Sequence, residues 1–189
     1  MPRPSDTKQR ILEVARELFA ERGVQRTSLQ EIAARLDITK PALYYHFSSR
    51  EELVRSIVQP ILDEEEAFLT SQEALAEVDP RSLLEGYFDF HYRHRAEIAL
   101  MLNELTTLAD LGLIELVLSW RQRLGRLLHG SEPTLEQAAR AMIAFGGIQD
   151  CVFQFTDVPR DELRRVVVDG ACAALGILVG PSSTVDPSP

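Results

Sequence analysis

Apolar residues recur at three- and four-residue spacing along almost all of this 189-residue chain, and apolar-polar alternation is nearly absent, so the sequence reads as α-helix throughout. In KQRILEVARELFAERG, Ile11, Leu12, Ala15, Leu18 and Phe19 form one stripe, and Gly23 stands where a helix stops. Ser28 opens the capping box SLQE, and Leu29, Ile32, Ala33 and Leu36 make the apolar face of a short second helix. Asp37, Ile38 and Thr39 separate it from a third helix over 40–47, which Thr39 caps and in whose unbonded first turn Pro41 is tolerated. Ser49 and Glu52 read as a further capping box, for a fourth helix through Leu53, Ile57, Ile61 and Phe68 that Pro60 interrupts.

Punctuation is sparser beyond residue 76. Asp79-Pro80 starts a helix through Tyr87, Phe88 and Tyr92, and another runs from Ala96 through Met101 and Leu105. A third follows Gly112, carries Trp120 and Leu124 and stops by Gly130. The capping box at Thr134 and Gln137 opens a long helix to Phe155, and Asp161 and Glu162 begin a last helix expected to end at Gly180-Pro181. VVV at 166–168 and CVFQF at 151–155 lie inside these helical patterns and are read with them. The tail SSTVDPSP reads as disordered.

The net charge of -9 hides an asymmetry. Residues 1–50 carry nine basic and six acidic side chains, the remainder 11 and 23. Uneven scatter and a head that meets a polyanion both account for this. Cys151 and Cys172 stand far apart without metal-ligand spacing, so neither a disulfide framework nor a zinc module is expected. No apolar signal core begins the chain, and the run 170–179 is too short to span a bilayer, which favours a cytoplasmic protein with no membrane association. Nucleophile elbow, phosphate loop and H-E-x-x-H are all missing, so no enzyme class and no cofactor is indicated.

Two short helices joined by three residues and preceded by a longer one describe a helix-turn-helix unit, whose second helix enters the DNA major groove. Leu43 and Phe47 face inward, leaving Lys40, Pro41, Tyr44, Tyr45 and His46 wholly or partly outward. Exposed aromatics are costly unless covered, whereas in a groove the phenols and imidazole can donate to phosphate oxygens. That Tyr44 packs under the first helix instead stays open.

The stretch FAERGVQRTSLQEIAARLDITKPALYYHFSSREELV, with its ordered G-x-x-x-T-S, I-A, L-Y-Y-H-F and S-R-E-x-L, resembles the tetracycline-repressor (TetR) family of bacterial transcriptional regulators. The likeness covers about the first quarter of the chain. It implies an all-α fold of about nine helices: a helix-turn-helix DNA-binding head at 1–50, a helical effector-binding and dimerisation domain at 51–180, and the tail at 181–189. It also implies a homodimer on a near-palindromic double-stranded operator with half-sites about 34 Å apart, and repression relieved by a small apolar or aromatic effector. By position, Ser28 and Gln30 would contact backbone or base from the second helix. Thr39, Lys40, Pro41, Tyr44, Tyr45 and His46 would form the groove face, and Arg50 would anchor a phosphate. Asp37 departs from the family's usual glycine, so the turn needs a left-handed Asp or another geometry.

In the body, Ala138, Ala139, Ala141, Gly146 and Gly147, with Gly170, Ala171, Ala174 and Gly176, permit close helix approach. Residue size suits packing within one subunit as well as a dimer; the resemblance implies the dimer. Tyr87, Phe90, His91, His94, Met101, Asn103, Trp120, Phe145 and Gln149 mix aromatic surface with sparse polar groups and are the candidate effector residues, most of them expected to be plain core. His91 and His94, with Asp89 and Glu97, have i, i+3 spacing compatible with a metal, but a solvated or hydrogen-bonded pair is the commoner outcome and no metal is expected. The rival readings are an activator or a constitutive DNA-binding protein of the same fold whose cavity is vestigial, and a helical enzyme or small-molecule or metal carrier whose head does not bind DNA.

Overall fold

The computed structural model describes residues 4–102 and 112–177, and every regular element among them is a helix. These are α1 (Pro4–Arg22), α2 (Leu29–Arg35), α3 (Lys40–His46), α4 (Arg50–Glu73), α5 (Pro80–Arg93), α6 (Arg95–Leu102), α7 (Leu113–His129), α8 (Leu135–Gln154) and α9 (Arg160–Ala174). They divide into two compact units, Met1–Glu66 with Ala96–Leu116 and Ala67–Arg95 with Val117–Pro189. No helix among the described residues is long and apolar enough to cross a membrane.

In the first unit Ile11, Leu12, Ala15, Leu18 and Phe19 of α1 are buried, together with Leu29, Ile32 and Ala33 of α2 and with Leu43 and Phe47. Thr27, also buried, sets the α1–α2 corner: its hydroxyl reaches the carbonyls of Gly23 at 3.0 Å and Leu18 at 3.3 Å. α2 closes on a left-handed Asp37, φ 53°, with Asp37 N–H bonded to Ala34 O at 3.2 Å and Ile38 N–H to Ala33 O at 3.0 Å. This is the paired closure a glycine usually makes, completed by a residue for which that conformation costs about 1–2 kcal/mol.

Two local expectations need correction. Ser49 Oγ does accept the Glu52 N–H at 3.1 Å, but the Glu52 carboxylate returns to Ser48 rather than Ser49. Ser48 offers that one oxygen both its N–H, at 2.7 Å, and its hydroxyl, at 2.6 Å. The last helix, expected to reach Gly180, ends at Ala174. Gly176 turns left-handed at φ 76°, and Gly176 and Ile177 N–H bond back to Ala173 O and Cys172 O at 3.0 and 2.9 Å. The earlier glycine closes the helix first. Leu105, Gly180, Pro181 and the tail lie outside the described residues.

In the second unit α5, α8 and α9 pack on one another around Leu83, Leu84, Phe88, Ile148, Val152 and Val168, and α7 adds Trp120 and Leu124. Gly86 permits a close approach: a Cβ there would sit 2.7 Å from the Phe68 ring. Along α5, Arg81, Glu85 and Asp89 stand one helical turn apart and meet α9 in ion pairs. Arg81 donates to Asp169 at 2.8 Å, Arg164 to Glu85 at 3.1 Å and Asp89 at 2.9 Å, and Arg160 to Asp89 at 2.7 Å. The hydrogen bond to Asp169 for Arg81, and that to Asp89 for Arg164, raise the guanidinium pKa further.

Candidate nucleic-acid interface

α3 owes its orientation to two fully buried side chains, Leu43 and Phe47, four residues apart. Thr39 caps it, accepting the Ala42 N–H at 3.3 Å, which leaves the Thr39 hydroxyl hydrogen available to a phosphate. Opposite the buried pair, Tyr45 is 83% and Tyr44 43% exposed. Lys40 Nζ lies 5.6 Å from the Tyr44 ring centroid, and the half-buried His46 meets the Tyr45 ring edge-on at 5.2 Å. Thr39, Lys40 and Pro41 are exposed, and α3 contains no carboxylate. The exposed face is therefore aromatic and cationic within an acidic chain.

The flanking candidates are placed differently. Gln30 is exposed, but the Ser28 hydroxyl is spent: it donates to Glu31 at 2.8 Å and accepts the Glu31 N–H at 3.2 Å. Glu31 is held below the ordinary carboxylate range, first by the Ser28 N–H and then by that hydroxyl. Arg50, at the first position of α4, is half-buried, and its Nη1 donates to Gln25 Oε1 at 3.3 Å.

The body candidates form a packed aromatic core. Tyr87 and His91 are each 3% exposed, Phe90, Trp120 and Phe145 are equally buried, and Tyr87 lies 4.1 Å from the His91 ring and 5.0 Å from that of Phe145. His91 Nδ1 is 3.0 Å from the Tyr87 carbonyl, so the neutral ring donates there. Burial, reinforced by Arg121 and His94, pushes the His91 pKa down to about 4 despite that bond. Asp89 already accepts from Arg160 and Arg164, and is not free to join His91 and His94 around a metal. Gln149 accepts from Arg121 Nη2 at 2.6 Å. Met101 lies on α6, and Asn103 lies outside the described residues.

Open volume lies on the flanks of α8. A groove of about 450 Å³ between α8 and α9 is walled by Ile143, Gly147, Phe155, Val166 and Gly170. A second, of about 410 Å³, lies between α7 and α8 and includes Phe145, Arg121, Arg126 and His129. The outward arc of α8 carries Leu135, 87% exposed, and Ile143, 64% exposed, with Ala139 and Gly147. The basic groups of the second groove escaped the sequence reading, although Leu118, Arg121, Gln122, Gly125 and His129 share one face of α7 at three- and four-residue spacing.

Residues 11–57 match the family model for bacterial regulatory proteins of the tetR family. The HTH-type transcriptional regulator TtgR of Pseudomonas putida is 35% identical over 75 residues, 40% of this chain and 36% of the relative. The HTH-type transcriptional repressor KstR2 of Mycolicibacterium smegmatis is 30% identical over 114 residues, 57% of this chain and 54% of the relative. The aligned stretch thus spans between 36% and 54% of these curated relatives. A solved transcriptional regulator from Aquifex aeolicus VF5 superposes with a TM-score of 0.71 at 26% identity, covering 87% of this chain and 96% of that one.

Proposed function

The chain belongs to the TetR family of bacterial regulatory proteins, and from that premise we propose that it is a ligand-responsive transcriptional regulator, acting in the cytoplasm as a homodimeric repressor. It works by binding rather than by catalysis. Each α3 enters the major groove of one half of a near-palindromic operator. Lys40 reaches base acceptors or phosphate, and Tyr44, Tyr45, His46 and Thr39 donate to the backbone. Pro41 keeps the helix start close to the groove. Gln30 reaches the DNA from α2, Ser28 positions that helix through its bonds to Glu31, and Arg50, tethered by Gln25, grips a phosphate.

The observation that carries this reading is the 83% exposed Tyr45, with Lys40 over the neighbouring Tyr44 ring, on a helix pinned by Leu43 and Phe47. A soluble domain gains nothing by leaving such a face bare. The exposed apolar arc of α8 supports the dimer in the same way, with Ile143 joined by Val166 of α9. Release follows if the effector prefers a conformation in which the two heads lose their operator spacing. α4 links head to body, and Pro60 within it lacks the amide that would bond the Ser56 carbonyl.

The test is selection of duplexes from a random pool, followed by mobility shift. The wild-type protein is expected to enrich a palindromic sequence, and Lys40→Ala and Tyr45→Ala to lose it while remaining folded. An enzyme or carrier with a non-DNA-binding head would select no sequence, and its own activity would be indifferent to both substitutions.

A further inference from the structure

We propose that the groove between α7 and α8 is a binding site for a small amphipathic anion, and that this occupant is the effector, an assignment of role that rests on the regulatory reading above. The groove encloses about 410 Å³, within the range of small-molecule sites. Leu118, Ala141, Met142 and Phe145 supply an apolar lining, and among the described residues no aspartate or glutamate borders the cavity. Its polar side holds two cations, Arg121 and Arg126, with His129 and the neutral Gln122 and Ser131 beside them.

No carboxylate among the described residues neutralises these charges. Arg121 Nη2 donates to Gln149 Oε1 at 2.6 Å and Nη1 lies 3.9 Å from Met142 Sδ, so a neutral amide and a thioether orient the guanidinium. The Arg126 guanidinium has no hydrogen-bond or ion-pair partner among the described residues. His129 Nε2 is buried and unpartnered. Elsewhere in this unit Arg81, Arg123, Arg140, Arg160 and Arg164 each pair with a carboxylate. Two guanidiniums that border one apolar cavity with no carboxylate partner among the described residues, in a body with twice as many acidic as basic residues, match an oxyanion head on an apolar tail.

A second, independent observation is that the space is kept open. Gly125 on α7 and Gly146 on α8 both line the groove, and a Cβ at either would meet no atom of the described residues within 4 Å. Both lie inside helices, where glycine is the poorest former after proline. Neither has a positive φ, and neither is set against another helix of the same chain among the described residues. What each does provide is volume within the cavity.

The experiment uses the full chain and decanoate as probe, with decyl sulfate, decanol and decyltrimethylammonium as charge controls, read by calorimetry and thermal shift without DNA. Decanoate or decyl sulfate is expected to bind and raise the melting temperature, with the cationic amphiphile silent and decanol at least about tenfold weaker. Binding by decanoate alone identifies a carboxylate head, and equal binding by decyl sulfate any oxyanion. Arg121→Met should weaken binding about 10-fold or more, and Arg121→Lys less. Gly125→Leu should fill the cavity and abolish binding while melting no lower than wild type.

Decanol binding as tightly as the anions, undiminished binding in Gly125→Leu, or a dimer that takes up no amphiphile because a second copy covers the groove would each overturn the site. Operator release is measured separately. An operator complex that survives saturating anion would overturn the effector role and leave the site standing. Failure to bind any operator would overturn the regulatory reading, with the calorimetric arm still deciding the groove.

Discussion

Two clusters in this chain are built from the same residue types and meet opposite fates. Tyr44, Tyr45 and His46 stand consecutively on α3, so the helical turn carries them outward around a pin formed by Leu43 and Phe47. Tyr87 and His91 stand four apart on α5, so they share a face, and that face meets Phe145 of α8. In the first cluster polar atoms remain free for a partner. In the second the imidazole is neutral, donates to its own helix and serves as packing. Spacing on the helix, rather than residue identity, separates an exposed face from a core.

The largest effect that sharpens this contrast is on stability. Tyr87→Ala is expected to cost about 3–5 kcal/mol in denaturant unfolding, as for other large buried aromatics, whereas Tyr45→Ala should fall within about 0.5 kcal/mol of wild type. Equal losses at the two tyrosines would break the comparison. The buried histidine gives the next test. Its folded pKa, about 4, is below the ordinary 6.5, so between those values the unfolded chain binds the extra proton. The contribution of neutral His91 is complete above about pH 6.5 and is lost as pH falls towards 4, on the order of 3 kcal/mol in all. His91→Gln should flatten that slope. Glu31 and Glu52, depressed by their serine partners, lose their contribution in the same direction but only in more acidic solution.

On the head, Lys40→Ala is expected to reduce operator affinity by about 10–100-fold, equivalent to about 1–3 kcal/mol, with an unchanged thermal melt. A loss of affinity that tracked a loss of melting temperature would make α3 a structural element and not a reading one. The smallest effect is at the turn that sets α3 in place. Asp37→Gly should stabilise the protein by about 0.5–1 kcal/mol, the relief of left-handed strain less the added entropy of the unfolded glycine.

The caps and stripes of the head were legible because they are local. Ser28 with Glu31, Thr39 with Ala42 N–H and the stripe from Ile11 to Phe19 each involve residues within one or a few turns, which a single sequence displays. Illegible were features that depend on competition between near-equal partners. Ser48 outbid Ser49 for the Glu52 carboxylate by offering two donors, and Gly176 closed the last helix before Gly180 could. The candidate body residues were chosen for their chemistry, yet whether an aromatic lines a cavity or fills one depends on what the next helix brings against it. Phe145 does both, touching Tyr87 on one side and the α7–α8 groove on the other.

By itself, then, the sequence determined where helices begin, which stripe of each is apolar and which side chains α3 turns outward, because helix geometry and capping act over three or four residues. Only the tertiary structure decided that Tyr87 and His91 are core, that Asp89 belongs to two arginines, and that Arg121 and Arg126 border the α7–α8 groove with no carboxylate partner among the described residues. Those outcomes depend on residues 28 to 75 positions apart in the chain, brought together by packing that no local pattern records.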